Sequence, residues 1–315
     1  MTNILLLGAG FSYNWGGPLA SEIAASLLSR VGSDPELQRL LKEHDKNFEN
    51  ALSQVQRDYR SGPTDERKAR LDRLQGAILD LFGSINSAFE NGTLFEFSND
   101  SHFSVRNFLA RFDAIFTLNQ DLLLELHHQE NPLLRRPVQL PGMRPILDPA
   151  IRGIGDKHLR RWTPSGERTI EPNAQPLIKV HGSSNWQTKD GARLLVIGGN
   201  KDFMIREHDV LLWYYELFQQ YLNRGDARLM VIGYGFGDEH INDVIRQSGK
   251  AGKLKGMFLV DPAGRAILNK TNHLPIRVHD DLEDVVSLGG STRPLSRVFG
   301  GDAIGFQELD GFKVR

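Results

Sequence analysis

The sequence predicts an α/β fold with a mostly parallel central sheet and a helical insertion. Three observations carry that prediction. The apolar run at residues 4–7 breaks into Gly8-Ala9-Gly10, and a helical pattern follows from Pro18. Short apolar runs recur at 114–118, 177–180, 194–197, 229–232, 257–260 and 276–278, each with the bulk of a buried strand. Between the run at 4–7 and the run at 114–118, residues 33–110 read mostly as helix.

The bulk numbers set the class. A chain of 315 residues with 40% apolar and 24% charged residues is ordinary for a globular protein. We read residues 1–315 as one domain, with a helical insertion or subdomain near 33–110 and an irregular cover near 131–175. A formal charge of −1 shows no basic surplus, so no direct nucleic-acid binding is evident. No apolar run approaches a membrane span and no secretory signal is visible, which fits a cytoplasmic protein. The absence of cysteine excludes disulfides, a cysteine nucleophile and any thiolate zinc site.

Each element follows from local pattern. Strand, glycine turn and helix begin a nucleotide-binding α/β unit, although Tyr13 stands where GxGxxG needs its third glycine. A short loop at 13–17 is expected before the first helix. Residues 36–59 and 65–89 carry apolar stripes of two long helices, and 102–112 those of a shorter one. Asp121 is placed to cap a helix over 122–128, whose His127-His128 pair reads as a solvated helix end, like Asp280-Asp281. Residues 131–175 are rich in proline, glycine and arginine and weakly periodic, the pattern of a lid or cover. Arg135-Arg136 and Arg160-Arg161 belong to it. Residues 209–223 form a strongly apolar helix, Asp238 starts another, and one more is expected from Asp281. The glycine-rich tail after Gly289 reads as a flap or an interface segment.

The chemistry-bearing residues fall at strand ends. Gly8–Ser12, Asn119 to Asp121, His181 to Ser183, Gly233 to Asp238, and Asp261 each follow an apolar run directly. If those strands are parallel, five stretches converge on one crevice, where open α/β sheets bind their ligands.

Together these stretches resemble the SIR2-like, sirtuin-related family. The resemblance rests on GAGFS at 8–12, TLNQD at 117–121, KVHGS at 179–183 and GYGFGDEHIN at 233–242, in the family's order. It looks closer to the bacterial SIR2-like domains, which are associated with NAD cleavage, than to the protein deacetylases. Two departures separate the chain from the protein deacetylases: it has no cysteines for their zinc ribbon, and Trp15-Gly16-Gly17-Pro18-Leu19 replaces their Pro-Asp-Phe-Arg stretch. The resemblance implies a sirtuin-like Rossmann fold without that ribbon, and NAD as substrate with no metal.

Roles follow residue by residue. Gly8, Ala9, Gly10 and Ser12 would face the NAD pyrophosphate through backbone N–H groups and the Ser12 hydroxyl. Asn119, with donor and acceptor on one side chain, would hold the nicotinamide ribose or the attacking water. His181 would take a proton, as an imidazole does near neutral pH. Asp121 is open between a ribose contact and a helix cap. Gly233, Gly235 and Phe236 would pack against the adenosine half, Ser183 would assist phosphate or ribose binding, and Asp261 would meet the adenine ribose. Asp238 is sufficiently explained as a helix cap, and His240 shows no metal-ligand spacing.

The expected activity is an NAD glycohydrolase releasing nicotinamide and ADP-ribose, with a cyclised product as a variant. The resemblance also implies an antiphage-defence effector depleting NAD. Its expected partners are further copies of itself and a regulatory chain, such as a helicase-like ATPase or other defence subunit. Two alternatives stay open: an NAD-dependent deacylase or ADP-ribosyltransferase, and a non-catalytic NAD or ADP-ribose sensor.

Overall fold

The computed structural model describes residues 1–45, 47–129, 136–148, 154–269, 282 and 288–313. Seven strands make the central sheet, in the spatial order Leu288–Ser291 (β11), Leu254–Val260 (β10), Ala227–Ile232 (β9), Thr2–Leu7 (β1), Ala114–Thr117 (β2), Gln175–Lys179 (β6) and Val138–Gln139 (β3). Every neighbouring pair is parallel. β1 lies in the middle, with Leu5 opposite Met230 on one side and Ile115 on the other. Ile4 to Leu7 are all fully buried, as a strand covered on both faces requires. Because all the strands point one way, the ends of β1, β2, β6, β9 and β10 open on the same edge.

A smaller sheet holds Met143–Pro145 (β4), Trp162–Pro164 (β5), Gly182–Gln187 (β7) and Arg193–Leu195 (β8). The apolar run at 194–197 therefore does not join the main sheet; β8 pairs antiparallel with β7. β7 has the sequence GSSNWQ, without apolar alternation, and escapes a periodicity search. It is nevertheless mostly buried, and Asn185 Nδ2 donates to the Arg160 carbonyl at 2.8 Å. The region read as an irregular cover thus contributes β3, β4, β5 and a 3-10 turn, Ile154–Leu159. Arg135, the strand expected at 276–278, and Asp280-Asp281 with the helix expected from Asp281 lie outside the described residues.

Ala9–Tyr13 (α1) is one helical turn directly after β1, where a loop was expected to run from residue 13. The next helix, Ala20–Arg30 (α2), starts two residues after Pro18, and the Glu22 carboxylate accepts from the Leu19 N–H at its start. The helix expected over 36–59 is two helices, Pro35–Glu43 (α3) and Phe48–Ser61 (α4). The apolar stripe lapses between Leu41 and Phe48, and Asn47 restarts the helix by accepting from the Glu49 N–H. Asp65–Gly92 (α5) matches the expected long helix. The segment expected as helix over 102–112 is a 3-10 turn, Ser101–Phe103, followed by Val105–Leu109 (α6).

Two apolar cores result. α2 to α5 enclose their own, including Leu27, Leu37, Leu41, Phe48, Leu52, Leu74, Ile78 and Phe82. The other surrounds the main sheet and takes in Phe89 from the far end of α5. That core also claims His127 and His128, correcting their reading as a solvated helix end. The chain there forms a π-helical turn, Glu125–Gln129, with Glu125 and His128 buried. His128 is 0% exposed, with Nε2 at 2.9 Å from Gln175 Oε1, and His127 Nε2 lies 2.8 Å from the Phe89 carbonyl oxygen.

The remaining α-helices among the described residues include Lys201–Arg206 (α7), Asp209–Leu222 (α8) and Glu239–Lys250 (α9), and the tail adds Leu295–Val298 (α10) and Ala303–Asp310 (α11). The tail is built into the body. Phe299 and Phe306 are buried, and the Leu295 N–H donates to Asn14 Oδ1 beside α1. No helix among the described residues is long and apolar enough to cross a membrane.

Candidate functional site: a cleft across the strand ends

The five strand ends line one cleft of about 820 Å³, a size usual for small-molecule sites. Gly8, Asn119, His181, Gly233 and Asp261 stand on its wall, one from each of the five expected stretches. Phe48 and Glu49 of α4 close one side, and Arg293 and Leu295 of the tail close another.

The two glycine turns fit each other rather than a fingerprint. A Cβ on Gly233 would stand 2.3 Å from the Gly10 carbonyl carbon, and one on Gly8 would stand 2.6 Å from the Gly233 carbonyl oxygen. Gly233 also has φ +62°, which disfavours any side chain. This contact changes the expected phosphate cradle. The Gly8 N–H donates to the Ile232 carbonyl, Gly10 N–H to the Gly233 carbonyl, and Phe11 N–H to the Gly8 carbonyl. From Gly8 to Phe11, Ala9 N–H alone has no backbone acceptor among the described residues. The glycines chiefly allow two backbones to touch and bring Ala9 to the cleft.

Asn119 is fixed by the same turn. Its Nδ2 donates to the Gly8 carbonyl and to Ser12 Oγ, each at 3.0 Å. A carbonyl only accepts, so the amide orientation is set by chemistry. Its backbone N–H donates to Thr117 Oγ1 at 3.1 Å. Oδ1 is left without a protein partner among the described residues, on a side chain 9% exposed that lines the cleft. Ser12 is buried beneath it and is not part of the cleft wall.

His181 follows β6 and is 1% exposed. Gly182, at φ +73°, turns the chain straight into β7. His181 Nε2 lies 3.0 Å from His240 Nε2, at the start of α9. One ring donates and the other accepts, so the two Nε2 atoms cannot both carry a proton without breaking the pair. Burial drives the His181 pKa down to about 3, against the pull of Asp238, with Lys201 and His240 adding to the fall. His240 is lowered as well, first by burial. Both imidazoles are neutral bases at physiological pH.

Beneath them lies an ion cluster that sequence spacing did not reveal. Lys201 Nζ is 2.8 Å from Asp238 Oδ1 and 2.7 Å from Glu49 Oε2. Burial raises the Asp238 carboxyl, but Lys201 overrides it and holds the group at about 2. Glu49 is raised by burial, with Lys201 offsetting this only in part. The ammonium is thus claimed first by Asp238. Asp238 occupies the N-cap of α9 without a side-chain capping bond; its carboxylate serves the cluster instead. The turn before it is held by Tyr234, whose hydroxyl accepts from the Asp238 N–H at 3.0 Å, and by Asn242, whose amide donates to the Phe236 carbonyl at 2.9 Å. Phe236, at φ +53°, is buried behind the turn and does not face the cleft.

The other expected residues divide. Ala9, Gly235 and Asp261 are on the wall, and Asp261 Oδ1 accepts from the Ala263 N–H at 2.8 Å. Asp121 and Ser183 lie outside the wall. Asp121 accepts from the Leu123 N–H at 3.1 Å, the expected cap. Ser183 is fully buried beside the Lys179–Glu125 ion pair, whose atoms are 2.7 Å apart. Sequence reasoning passed over Glu49 and Lys201, and set His240 aside for want of metal-ligand spacing, because they arrive from separate elements. The one available signal was the DEH tripeptide at the end of a strand-turn motif.

A family model described as SIR2-like domain matches residues 113–278, more than half of the 315-residue chain. β1, its glycine turn and α2 to α5 precede the matched region. No curated protein matches the chain. The matched region supplies Asn119, His181, the second glycine turn and Asp261, and the chain belongs to the SIR2-like domain family, whose members use NAD as substrate.

Proposed function

We propose that the protein is an NAD glycohydrolase, cleaving the nicotinamide–ribose bond to give nicotinamide and ADP-ribose. The observation that carries this reading is the pairing on one cleft wall of an oriented, unpartnered acceptor, Asn119 Oδ1, with a buried neutral imidazole, His181. In the reaction the C1′–N bond breaks and its electron pair leaves with neutral nicotinamide. The ribose is left as an oxocarbenium ion. Asn119 Oδ1 accepts from a ribose hydroxyl or from the attacking water. Water adds at C1′ and gives up its proton to His181. Ala9 N–H donates to the pyrophosphate, and Asp261 takes the adenine ribose. Ser12 acts from behind the wall by holding Asn119, while Asp121, Ser183 and Phe236 serve the fold around it. The reading extends to an NAD-depleting defence effector controlled by self-assembly or a regulatory chain, because an unrestrained NAD hydrolase is toxic.

The test is nicotinamide release from NAD by the purified chain, with and without an acylated peptide. Release without peptide is expected, falling at least about 100-fold in Asn119→Ala and His181→Ala. Release that requires the peptide would replace this reading with a deacylase. Tight NAD binding without release, even with its regulatory partner present, would replace it with a sensor.

A further inference from the structure

We propose that His181 and Asp238, on the cleft wall, form with His240 a binding site for a zinc-class divalent metal ion. Their ligand atoms all lie within 4.8 Å of one another. The two Nε2 atoms face each other at 3.0 Å. At zinc–nitrogen bonds of about 2.1 Å that spacing corresponds to an angle near 90° at the metal, and opening to about 3.4 Å makes it tetrahedral. Lys201 holds Asp238 Oδ1, and Oδ2 has no protein partner among the described residues. Three protein ligands with the remaining position open to a cleft is the layout of an exchangeable zinc site rather than a closed structural one.

The donor set suits the ion. Two imidazole nitrogens and one carboxylate oxygen are donor types that zinc takes. Lys201 also opposes a second positive charge, so affinity is moderate and the ion exchangeable. The site escapes motif searches because His181 and His240 are 59 residues apart. One strand end and one helix start bring them together.

Occupancy has a consequence that rests on the NAD-cleavage reading: the metal takes the lone pair with which His181 would accept a proton, so it inhibits. The binding itself does not rest on that reading. Metal-stripped full chain is titrated with Co²⁺ near neutral pH, and visible absorption is followed without NAD. Bands saturating at about one equivalent per chain and displaced by Zn²⁺ are expected. His240→Ala weakens binding at least about tenfold, while His208→Ala, outside the cluster, leaves it unchanged. Circular dichroism confirms that each variant is folded. Asp238→Asn tests the third ligand, but His240→Ala alone decides if that variant misfolds. Absence of saturable bands, or bands that persist unaltered in His240→Ala, would overturn the site. If the site binds and NAD turnover is measurable, Zn²⁺ lowers nicotinamide release in parallel with occupancy.

Discussion

At the level of single residues, the site depends on side chains with one orientation open to them. Asn119 cannot flip, because Nδ2 must meet the Gly8 carbonyl. Ser12→Ala removes one of its two anchors. It should cost about 1 kcal/mol of stability and lower kcat by roughly 10- to 100-fold with KM little changed, as steady-state kinetics and chemical denaturation would show. His181 makes a second prediction. A base with its pKa near 3 stays unprotonated from pH 8 down to pH 5. The pH profile of kcat/KM should therefore lack the bend near 6.5 that an ordinary histidine base gives. A clear bend there would place the proton acceptor elsewhere. The same burial makes stability depend on pH. Unfolded histidine binds protons below about 6.5, whereas folded His181 and His128 resist them down to about 3 and about 4. The unfolded state then holds more protons, so stability falls as pH drops from about 6.5. Melting temperatures measured from pH 7 to pH 4.5 should show it.

Elements join where charge and close contact require it. Lys201 at the start of α7 ties α4 to the turn before α9 through Glu49 and Asp238. Lys201→Met would leave two buried carboxylates beside each other and should cost about 3–5 kcal/mol, read from the urea midpoint. The elements also show what was legible beforehand. Apolar runs located β1, β2, β6, β9 and β10, because parallel strands buried on both faces are apolar without interruption. Those same runs placed Gly8, Asn119, His181, Gly233 and Asp261 on one edge. β7 was not legible, since its sequence GSSNWQ lacks apolar alternation and its place rests on tertiary contacts such as the Asn185 bond to the Arg160 carbonyl. The split between α3 and α4 was missed because a stripe search spans a short polar gap. The approach of His240 to His181 depends on sheet order and on the angle at which α9 leaves its turn. No spacing within one element encodes either.

On the scale of the whole molecule, the cleft is a junction of three bodies: the sheet edge, the α2 to α5 core through Phe48 and Glu49, and the tail through Arg293 and Leu295. A ligand filling it touches all three. In His181→Ala protein, which leaves NAD uncleaved in our reading, saturating NAD should stabilise the fold by about 2.7 kcal/mol at 100 times its dissociation constant. Hydrogen exchange should slow both in α4 and around residues 293–296. Protection confined to the strand ends would mean that the ligand does not bridge the three.

The contact between the glycine turns also constrains how this sequence can vary. Gly10 and Gly233 occupy each other's side-chain space, more than two hundred residues apart. Gly233→Ala should cost about 3 kcal/mol or more by thermal melt. Enlarging one position cannot be compensated by shrinking the other, because both are already at the smallest residue. A randomised library at either position, selected for folded protein, should recover only glycine. A double library should do no better. Two distant turns are coupled there by an absence of atoms, and positions confined to glycine leave pairwise substitution statistics nothing to register.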